Sequence, residues 1–267
     1  MEPWAIFDGR CRPLAEVTVA ELPHLLVGAG FFETMRVDAG VVLRLEAHLA
    51  RLRASLAAVA AVQSPRAELL EAPTLRRSIG EAVDRGLVAP DTAARLTVVS
   101  GHTLVTFRPL PSDEGPAVIE GIDASTYRHG DVWPNRKSLS YLRSYAAAGT
   151  PVLFANERGE LCEAPTANVF VLHAGALVTP PLDAPCLPGI TRGALLAAGT
   201  LTVPERGSLP VRESALAVGD LAAAEGIILT SALRLAQPVG TIFGRALPRS
   251  AELARAAYGA LCRSTGA

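Results

Sequence analysis

The spacing of apolar residues changes from a strand period to a helix period between residues 31 and 59. The runs FFETMRV and VVLRL alternate, and the turn signal Asp38-Ala39-Gly40 separates them, so this segment predicts a β-hairpin. The next stretch predicts a helix, because its inward positions recur every three or four residues: Leu45, His48, Leu49, Leu52, Leu56 and Val59. A hairpin that runs into an amphipathic helix is typical of an α/β layer.

The predicted elements divide the chain into two α/β pieces. Residues 3–8 and the runs ARLTVVSG and LVTFRPL predict strands, and residues 74–87 predict a helix. Residues 109–116, PLPSDEGP, are rich in proline and poor in apolar residues, which predicts a linker. Short strands dominate beyond it, with helices predicted after Lys137, after Gly189 and at the C-terminus. We therefore expect two domains, residues 1–112 and 113–267.

Composition and charge exclude several classes of protein. The net charge is -1 and the arginines are scattered among 26 acidic residues, which gives no electrostatic reason to expect nucleic-acid binding. No apolar run reaches the roughly 18 residues of a membrane span, and MEPWAIFDGR lacks the features of a signal peptide. We expect a cytoplasmic protein without a membrane span. The four cysteines form no CxxC pair, which predicts neither a metal site nor disulfides.

Lys137, within the stretch PNRKSLSYL, is the only lysine among 25 lysine and arginine residues. An ordinary chain of this length carries about a dozen lysines or more. Arginine replaces lysine well as a solvated cation, but it stays protonated, whereas a partly desolvated lysine can lose its proton and form a Schiff base. Lys137 is therefore a candidate catalytic amine. The alternative is that compositional drift left one lysine behind by chance.

Two charged patterns have both a functional and a structural interpretation. His48 and Arg51 lie three residues apart on one predicted helix face, where an arginine is either an anion ligand or a solvated charge. Glu163 precedes a predicted strand that begins near Asn168. Its carboxylate is either part of a site or a charge at the edge of a loop.

Three further patterns involve glycine and hydroxyl residues. Gly189-Ile190-Thr191 opens a predicted helix, whose unpaired amides and threonine hydroxyl suit a phosphate, although capping explains the threonine equally well. A predicted buried strand breaks at Thr230-Ser231-Ala232, whose small hydroxyl residues either complete a phosphate site or turn the chain. VGAGFFE holds a GxG pattern, but a third glycine is missing and a strand follows, which argues against a dinucleotide loop.

An amine, a carboxylate, an arginine and an anion cradle are together the groups that pyridoxal phosphate requires. In order and spacing, the motifs GAGFFETMRVDAG, HLARL, RKSLSYL, ELCEAPTANVF, LPGITRGALL and LTSALRLAQPV resemble the class IV aminotransferases. These fold-type IV enzymes include branched-chain and D-amino acid transaminases and 4-amino-4-deoxychorismate lyase, and the pattern is most similar to the lyase. The resemblance extends over nearly the whole chain.

The resemblance implies a smaller N-terminal α/β domain and a larger C-terminal domain with a barrel-like sheet. Pyridoxal 5'-phosphate would lie between them, in an enzyme that is usually a homodimer and acts on a small-molecule amino substrate. Lys137 would form the Schiff base with the cofactor and shuttle the substrate proton, and Glu163 would pair with the pyridine nitrogen. The phosphate would be held by Arg51, Ile190, Thr191, Ser231 and Ala232.

Two departures from the family pattern accompany the resemblance. Ala29 stands where the family commonly has an aspartate between two glycines. The segment from Lys137 to Glu163 is several residues shorter than usual. Tyr141, four residues past Lys137, would share its helix face and line the substrate pocket, or it is an ordinary core tyrosine.

Three features favour the lyase, which would produce 4-aminobenzoate and pyruvate in folate biosynthesis. The chain is short for a branched-chain transaminase, SALRLAQPV is similar to the lyase subgroup, and Ser100 replaces an arginine that D-amino acid transaminases use for the substrate carboxylate. The alternative activity is transamination of branched-chain or D-amino acids. An alternative of another class is a non-catalytic protein that keeps the fold, although the retained single lysine speaks against it.

Overall fold

The computed structural model describes residues 3–59, 64–112, 115–124, 135–140, 147–204 and 206–263. These residues form two compact units. The N-terminal unit comprises the described residues up to Pro111 together with residues 136–140, and the C-terminal unit comprises the remainder. The fold is mixed α/β, as the sequence predicts. No helix among these residues has both the length and the apolar composition needed to cross a bilayer.

The N-terminal unit is built on one antiparallel sheet with two helices. Its strands are β1 (Trp4–Phe7), β2 (Arg10–Pro13), β3 (Gly30–Asp38), β4 (Val41–Val42), β5 (Thr92–Val99) and β6 (His102–Arg108). They lie in the order β2-β1-β6-β5-β3-β4. The helices are α1 (Leu45–Ala58) and α2 (Ala72–Asp84). Short 3-10 helices span Leu14–Glu16, Val19–Glu21, Pro23–Val27 and Ala67–Leu70.

Alternation along β3 decides which face of this sheet is buried. Phe31, Met35 and Val37 point into one core cluster, which the leucines of α1 also enter: Leu45, Leu49, Leu52 and Leu56. Each fully buried side chain of this kind contributes roughly 1.5–3 kcal/mol. The predicted hairpin and helix are therefore confirmed, and the helix covers the inward face of β3.

The second strand of the predicted hairpin is shorter than the sequence indicates. VVLRL predicts a strand to Leu45, but β4 contains only Val41–Val42. Arg44 adopts a left-handed conformation with φ of 51° and stands at the N-cap of α1, which begins at Leu45. The chain leaves the sheet because this conformation is incompatible with a strand.

Residues 137–139 run along the edge of β3 instead of forming the predicted helix. Ser138 forms an antiparallel bridge with Phe31. The amide of Phe32 donates to the carbonyl of Lys137 (2.9 Å), and the amide of Leu139 donates to the carbonyl of Gly30 (2.9 Å). These pairings hold the backbone extended, so the prediction of a helix directly after Lys137 is wrong as far as residue 140. Tyr141 lies outside the described residues.

The C-terminal unit contains a mixed sheet of eight strands and a separate parallel pair. The eight strands are β7 (Ala117–Ile119), β10 (Asn168–His173), β11 (Ala176–Thr179), β12 (Thr200–Val203), β13 (Gly207–Glu213), β14 (Gly226–Ser231), β15 (Leu235–Ile242) and β16 (Arg245–Ala246). The separate pair is β8 (Gly121–Asp123) and β9 (Val152–Phe154). Two helices, α3 (Ile190–Ala198) and α4 (Arg249–Arg263), and a 3-10 helix (Val218–Ala223) complete the unit.

Both faces of the eight-stranded sheet are buried. Val169 and Val171 of β10 point into one core cluster, and Phe170 and Leu172 point into another that also contains Leu195 of α3. The strand order is β12-β13-β11-β10-β14-β15-β16, with β7 beside β15. The described strands therefore form an open sheet and not a closed barrel. Ser231 lies at the carboxyl end of β14, and Asn168 and Ile190 lie at the amino ends of β10 and α3.

Candidate active site

The backbone around Lys137 is held in place by side-chain contacts as well as by the edge of β3. Arg136 donates from Nη1 to the carbonyl of Ala54 in α1 (3.1 Å). Ser140 donates from Oγ to the carbonyl of Gly28 (3.1 Å). The lysine therefore extends from a backbone segment that is fixed on both sides.

Close packing explains why the VGAGFFE pattern has its second glycine, Gly30. A Cβ atom on Gly30 would lie 2.5 Å from the carbonyl oxygen of Val98 and 2.8 Å from Cδ1 of Leu139. Only glycine allows the lysine segment to approach this closely. Gly28 ends the preceding 3-10 helix with φ of 66°, and the amide of Ala29 donates to the carbonyl of His24 (3.1 Å). The pattern thus serves packing in this unit.

Two cations lie over the ring of Phe32. Nζ of Lys137 is 4.8 Å from the ring centroid, and Cζ of Arg95 is 3.6 Å from it. Burial, with a smaller contribution from Arg108, lowers the pKa of Arg95 below its ordinary value. The aromatic face stabilises both charges. This arrangement places a guanidinium in the neighbourhood of the candidate nucleophile, where an anionic substrate group can be recognised.

A buried charged network lies on the face of β3 opposite to Phe32, where the strand packs against α1. Arg51 donates to the carboxylate of Glu33 through Nε (2.8 Å) and Nη2 (2.6 Å). Nδ1 of His48 lies 2.7 Å from Oε2 of the same carboxylate. Burial alone would raise the pKa of Glu33, but the hydrogen bonds of His48 and Arg51 lower it well below its usual value. The HLARL motif thus places both basic residues against one acid.

His48 is neutral at physiological pH in this environment. Burial lowers its pKa, and the charges of Arg51 and Lys137 lower it further, against the opposing effect of Glu33. A neutral imidazole that contacts a carboxylate through Nδ1 donates its proton there. Arg51, Glu33 and Lys137 therefore belong to one electrostatic environment within the N-terminal unit.

Glu163 is the buried acid of the C-terminal unit. Its side chain is 3% exposed. Oε2 accepts hydrogen bonds from Nδ2 of Asn168 (3.1 Å) and from the amide of Leu187 (3.0 Å). These two donors are uncharged, so they stabilise the carboxylate without neutralising it. Glu163 is therefore buried and hydrogen-bonded within the unit and is not a solvated charge at the edge of a loop.

Asn168 lies at the centre of the three predicted cofactor segments of this unit. In addition to Glu163, its Nδ2 donates to the carbonyl of Leu187 (2.9 Å), which precedes α3. A Cβ atom on Gly189 would lie 1.9 Å from Oδ1 of Asn168, so no side chain fits there. On the sheet, Asn168 stands directly opposite Thr230 of β14. The structure therefore brings Glu163, the start of α3 and the end of β14 together.

The predicted phosphate residues of this unit occupy two element ends. Ile190 and Thr191 form the first turn of α3, and Thr191 is buried. Ser231 ends β14 and Ala232 follows it, beside Thr230. Oγ1 of Thr230 is buried and has no hydrogen-bond partner among the residues that the structure describes. Helix amides with hydroxyls, one of them an orphaned buried group, suit a phosphate chemically.

A family model described as amino-transferase class IV matches residues 30–242. The chain belongs to the class IV aminotransferase family. A bifunctional aminodeoxychorismate lyase / D-amino acid transaminase of Mycobacterium tuberculosis is 32% identical, over 84% of this chain and 85% of that protein. A putative branched-chain-amino-acid aminotransferase of Methanocaldococcus jannaschii is 29% identical, over 90% and 88%.

A solved structure provides the same assignment for the fold and the cofactor. The PLP-bound form of a hypothetical aminotransferase from Mycobacterium tuberculosis superposes with a TM-score of 0.77 at 27% identity, over 98% of this chain and 99% of that one. This class IV aminotransferase is therefore a pyridoxal-phosphate-dependent enzyme. When bound, the cofactor withdraws electrons from the substrate carbon.

Three residues of this class IV aminotransferase that adjoin the predicted ones were not predicted from the sequence: Glu33, Arg95 and Asn168. A signal existed for Glu33, because the alternation of FFETMRV places a carboxylate on the inward, apolar face. Arg95 lies in a strand whose outward face is partly polar, which carries no specific signal. Asn168 and Thr230 meet only through the pairing of β10 with β14, which the sequence does not reveal.

Proposed function

We propose that this enzyme is a 4-amino-4-deoxychorismate lyase, which releases pyruvate and forms 4-aminobenzoate for folate biosynthesis. The observation that carries the proposal is the pair of cations, Lys137 and Arg95, over the ring of Phe32. The leaving fragment of the reaction, pyruvate, contains a carboxylate, and a guanidinium near the reacting amine binds such a group through paired hydrogen bonds. The name of the mycobacterial relative supports the same activity.

The residue roles in this proposal follow the chemistry of each group. Lys137 would hold the cofactor through its amine and, once released, would remove the proton from the carbon that bears the nitrogen. Glu163 keeps the pyridine nitrogen protonated, which its buried carboxylate and uncharged donors favour. The residues that would hold the phosphate group are those that the family resemblance implies: Arg51, Ile190, Thr191, Ser231 and Ala232.

Ser100 supports the lyase over a D-amino acid transaminase. It lies in the turn between β5 and β6, with φ of 55°, and its Oγ accepts a hydrogen bond from the amide of His24 (3.1 Å). A hydroxyl group cannot replace the charged fork that binds the carboxylate of a simple amino acid. Arg95 supplies a cation from the middle of β5 instead.

The second candidate activity is transamination of D-amino acids or branched-chain amino acids. It is favoured by the names of the two relatives, one of which is bifunctional. Arg95 would then bind the carboxylate of the amino acid itself. Both activities would begin with the same proton removal by Lys137 and would differ in the bond that changes next.

The family resemblance also supports three statements about the setting of the reaction. We expect a homodimer, a cytoplasmic location, and a small amino compound as substrate. The net charge of -1 and the scattered arginines support the expectation that no nucleic acid is bound. Light scattering of the purified enzyme measures the oligomeric state directly.

The proposal is tested by adding pyridoxal phosphate to the purified protein and reducing it with borohydride. We expect a yellow species that reduction traps on Lys137, as located by mass mapping. Pyruvate release from aminodeoxychorismate is then compared with keto-acid formation from D-alanine and from leucine. Absence of an adduct on Lys137 would refute the catalytic assignment, and keto-acid formation without pyruvate release from aminodeoxychorismate would establish the second candidate.

The variant Lys137→Arg is the matched test of the amine. It retains the positive charge over Phe32 but cannot lose a proton at physiological pH. We expect turnover to fall by a factor of roughly 10⁴ or more. Activity close to that of the unaltered enzyme would show that Lys137 does not act as nucleophile or base.

A further inference from the structure

Glu33 is a buried acid to which the reaction gives no role. It is 1% exposed and lies in β3 between Phe31 and Met35, which both point into the apolar core. A buried carboxylate costs stability unless its partners satisfy it completely. An apolar residue at this position would continue the core pattern, so the retained carboxylate calls for an explanation.

The partners of Glu33 are both members of the HLARL motif. Arg51 engages the carboxylate with Nε to Oε1 and Nη2 to Oε2, at 2.8 and 2.6 Å. Nδ1 of His48 engages Oε2 from the preceding turn of α1, at 2.7 Å. Two parallel N–H···O bonds fix the guanidinium plane as well as its position, which a single bond does not.

The paired hydrogen bonds to Glu33 determine which edge of the Arg51 guanidinium is directed away from that carboxylate. The guanidinium directs its Nε–Nη2 edge at Glu33, so the edge that contains Nη1 points away from the carboxylate. The side chain is 11% exposed, and a long side chain of this kind loses considerable rotamer freedom when it is fixed. Glu33 already fixes the Arg51 side chain in the protein without a ligand, so this loss of rotamer freedom does not oppose ligand binding.

His48 secures the carboxylate from the other side. Because Nδ1 holds Oε2, Glu33 cannot rotate away from Arg51 without losing a contact of its own. Both basic residues are on α1 and the acid is on β3, so the network also fixes the helix against the sheet at this level. The result is an arginine whose orientation is set by a second residue.

We propose that Glu33 is a positioning residue for the cofactor phosphate, which acts by presetting the guanidinium of Arg51. It contacts the arginine and not the ligand. The inference rests on the proposed role of Arg51 in holding the phosphate. It implies that part of the affinity for the negatively charged phosphate depends on Glu33, although Glu33 is itself negatively charged.

The test measures the phosphate contribution to binding, separately from activity. Dissociation constants of pyridoxal phosphate and of pyridoxal are measured on the apoenzyme, and their ratio is the phosphate preference. We expect Glu33→Gln to lower this preference roughly 10- to 100-fold, because a charged bidentate contact is lost. Affinity for pyridoxal, which lacks the phosphate, should change less than about threefold.

Arg51 supplies the second half of the test. Arg51→Ala should lose the same preference, and Glu33→Gln added to Arg51→Ala should lower it no further, because Glu33 acts through the arginine. Glu46→Gln is the matched control, since Glu46 is an exposed acid of α1 that pairs with Arg76. The control should leave both dissociation constants unchanged.

Each result decides a separate question. A preference that Glu33→Gln leaves intact, or an equal weakening of pyridoxal phosphate and pyridoxal, would overturn the positioning role while the proposed function stands. An unaltered enzyme that binds the two compounds equally would overturn the phosphate role of Arg51 and this inference with it. Should Glu33→Gln not fold, Glu33→Asp retains the charge, and its shorter side chain should still reduce the preference.

Discussion

Glu33 in the N-terminal unit and Glu163 in the C-terminal unit are both buried carboxylates, but their donors differ. Glu33 is held by the guanidinium of Arg51 and by His48, whereas Glu163 is held by the amide of Asn168 and a backbone N–H. A guanidinium neutralises the charge, while uncharged donors preserve it. Burial alone therefore does not reveal the function of an acid. The charge of its donors distinguishes a positioning carboxylate from one that can stabilise a cationic ligand.

Glu163→Gln is expected to reduce activity strongly. A neutral amide cannot stabilise a protonated pyridine nitrogen, so we expect kcat/KM to fall roughly 10³-fold. The melting temperature should change little, because the surrounding donors are uncharged. Glu157→Gln, at an exposed position in the same unit, is the control and should retain full activity. Retention of more than a tenth of the activity in Glu163→Gln would show that its carboxylate is not needed to stabilise a cationic ligand.

A smaller effect is expected in the N-terminal unit from Gly30→Ala. The new methyl group would collide with the carbonyl of Val98 and with Leu139, and would displace the segment that bears Lys137. A displacement of about 1 Å reduces turnover roughly 10²-fold. Gly80→Ala in α2, where no atom lies within 4 Å, should leave turnover unchanged. Equal activities of the two variants would show that the lysine segment is not fixed by packing.

The packing around Asn168 predicts a change in stability. In Gly189→Ala the added Cβ meets Oδ1 of Asn168, so we expect the free energy of unfolding to fall by about 1–3 kcal/mol. Gly193→Ala, in the same helix with open space around it, should raise that free energy by about 0.5–1 kcal/mol. Denaturant titration measures both. A shift of the same sign in the two variants would contradict the close approach of Asn168 to the helix start.

The charged network predicts the smallest effect, a loss of stability in acid. The folded-state pKa of His48 lies below its ordinary 6.5, so the unfolded chain binds the proton first as the pH falls through 6.5. The pKa of Glu33 is also lowered when folded, from 4.5, which adds a further loss below about pH 4.5. Each group contributes at most about 1.4 kcal/mol per pH unit within its window.

The variant His48→Gln separates these two contributions. Glutamine can donate to Glu33 but does not titrate, so the free energy of unfolding should vary less between about pH 6.5 and 5 than in the unaltered enzyme. The loss below about pH 4.5 should persist. Denaturant titrations at several pH values measure both slopes. An unchanged slope in the upper window would show that His48 does not take up a proton on unfolding.

Local sequence patterns were sufficient for the fold class, the family and much of the N-terminal unit. The alternation of residues 31–37 and the helical spacing of residues 45–59 depend on neighbours a few positions apart, and the structure contains both elements. The failures have a common physical cause. Residues 137–140 are extended because they pair with β3, about a hundred residues earlier in the chain, and no local pattern encodes that partner.

The same limit applies to the candidate site. From composition and spacing, the single lysine and the HLARL motif predict Lys137 and Arg51 as candidate residues. Glu33 meets Arg51 only when β3 packs against α1, and Asn168 joins Glu163 to the start of α3 only when the loop before that helix folds back. Glu33 and Asn168, which hold other residues in place, are thus harder to predict than Lys137 and Arg51, because their partners are distant in sequence.

The pairing of residues 137–139 with β3 has a consequence for solubility. β4 covers only the far end of β3, at Val37 and Asp38, so the lysine segment is what shields the edge at Gly30–Phe32. An unshielded edge with apolar side chains is a template for pairing with other chains. A substitution that detaches the lysine segment would therefore expose an aggregation-prone edge, so the segment that carries the candidate amine also protects this edge from aggregation.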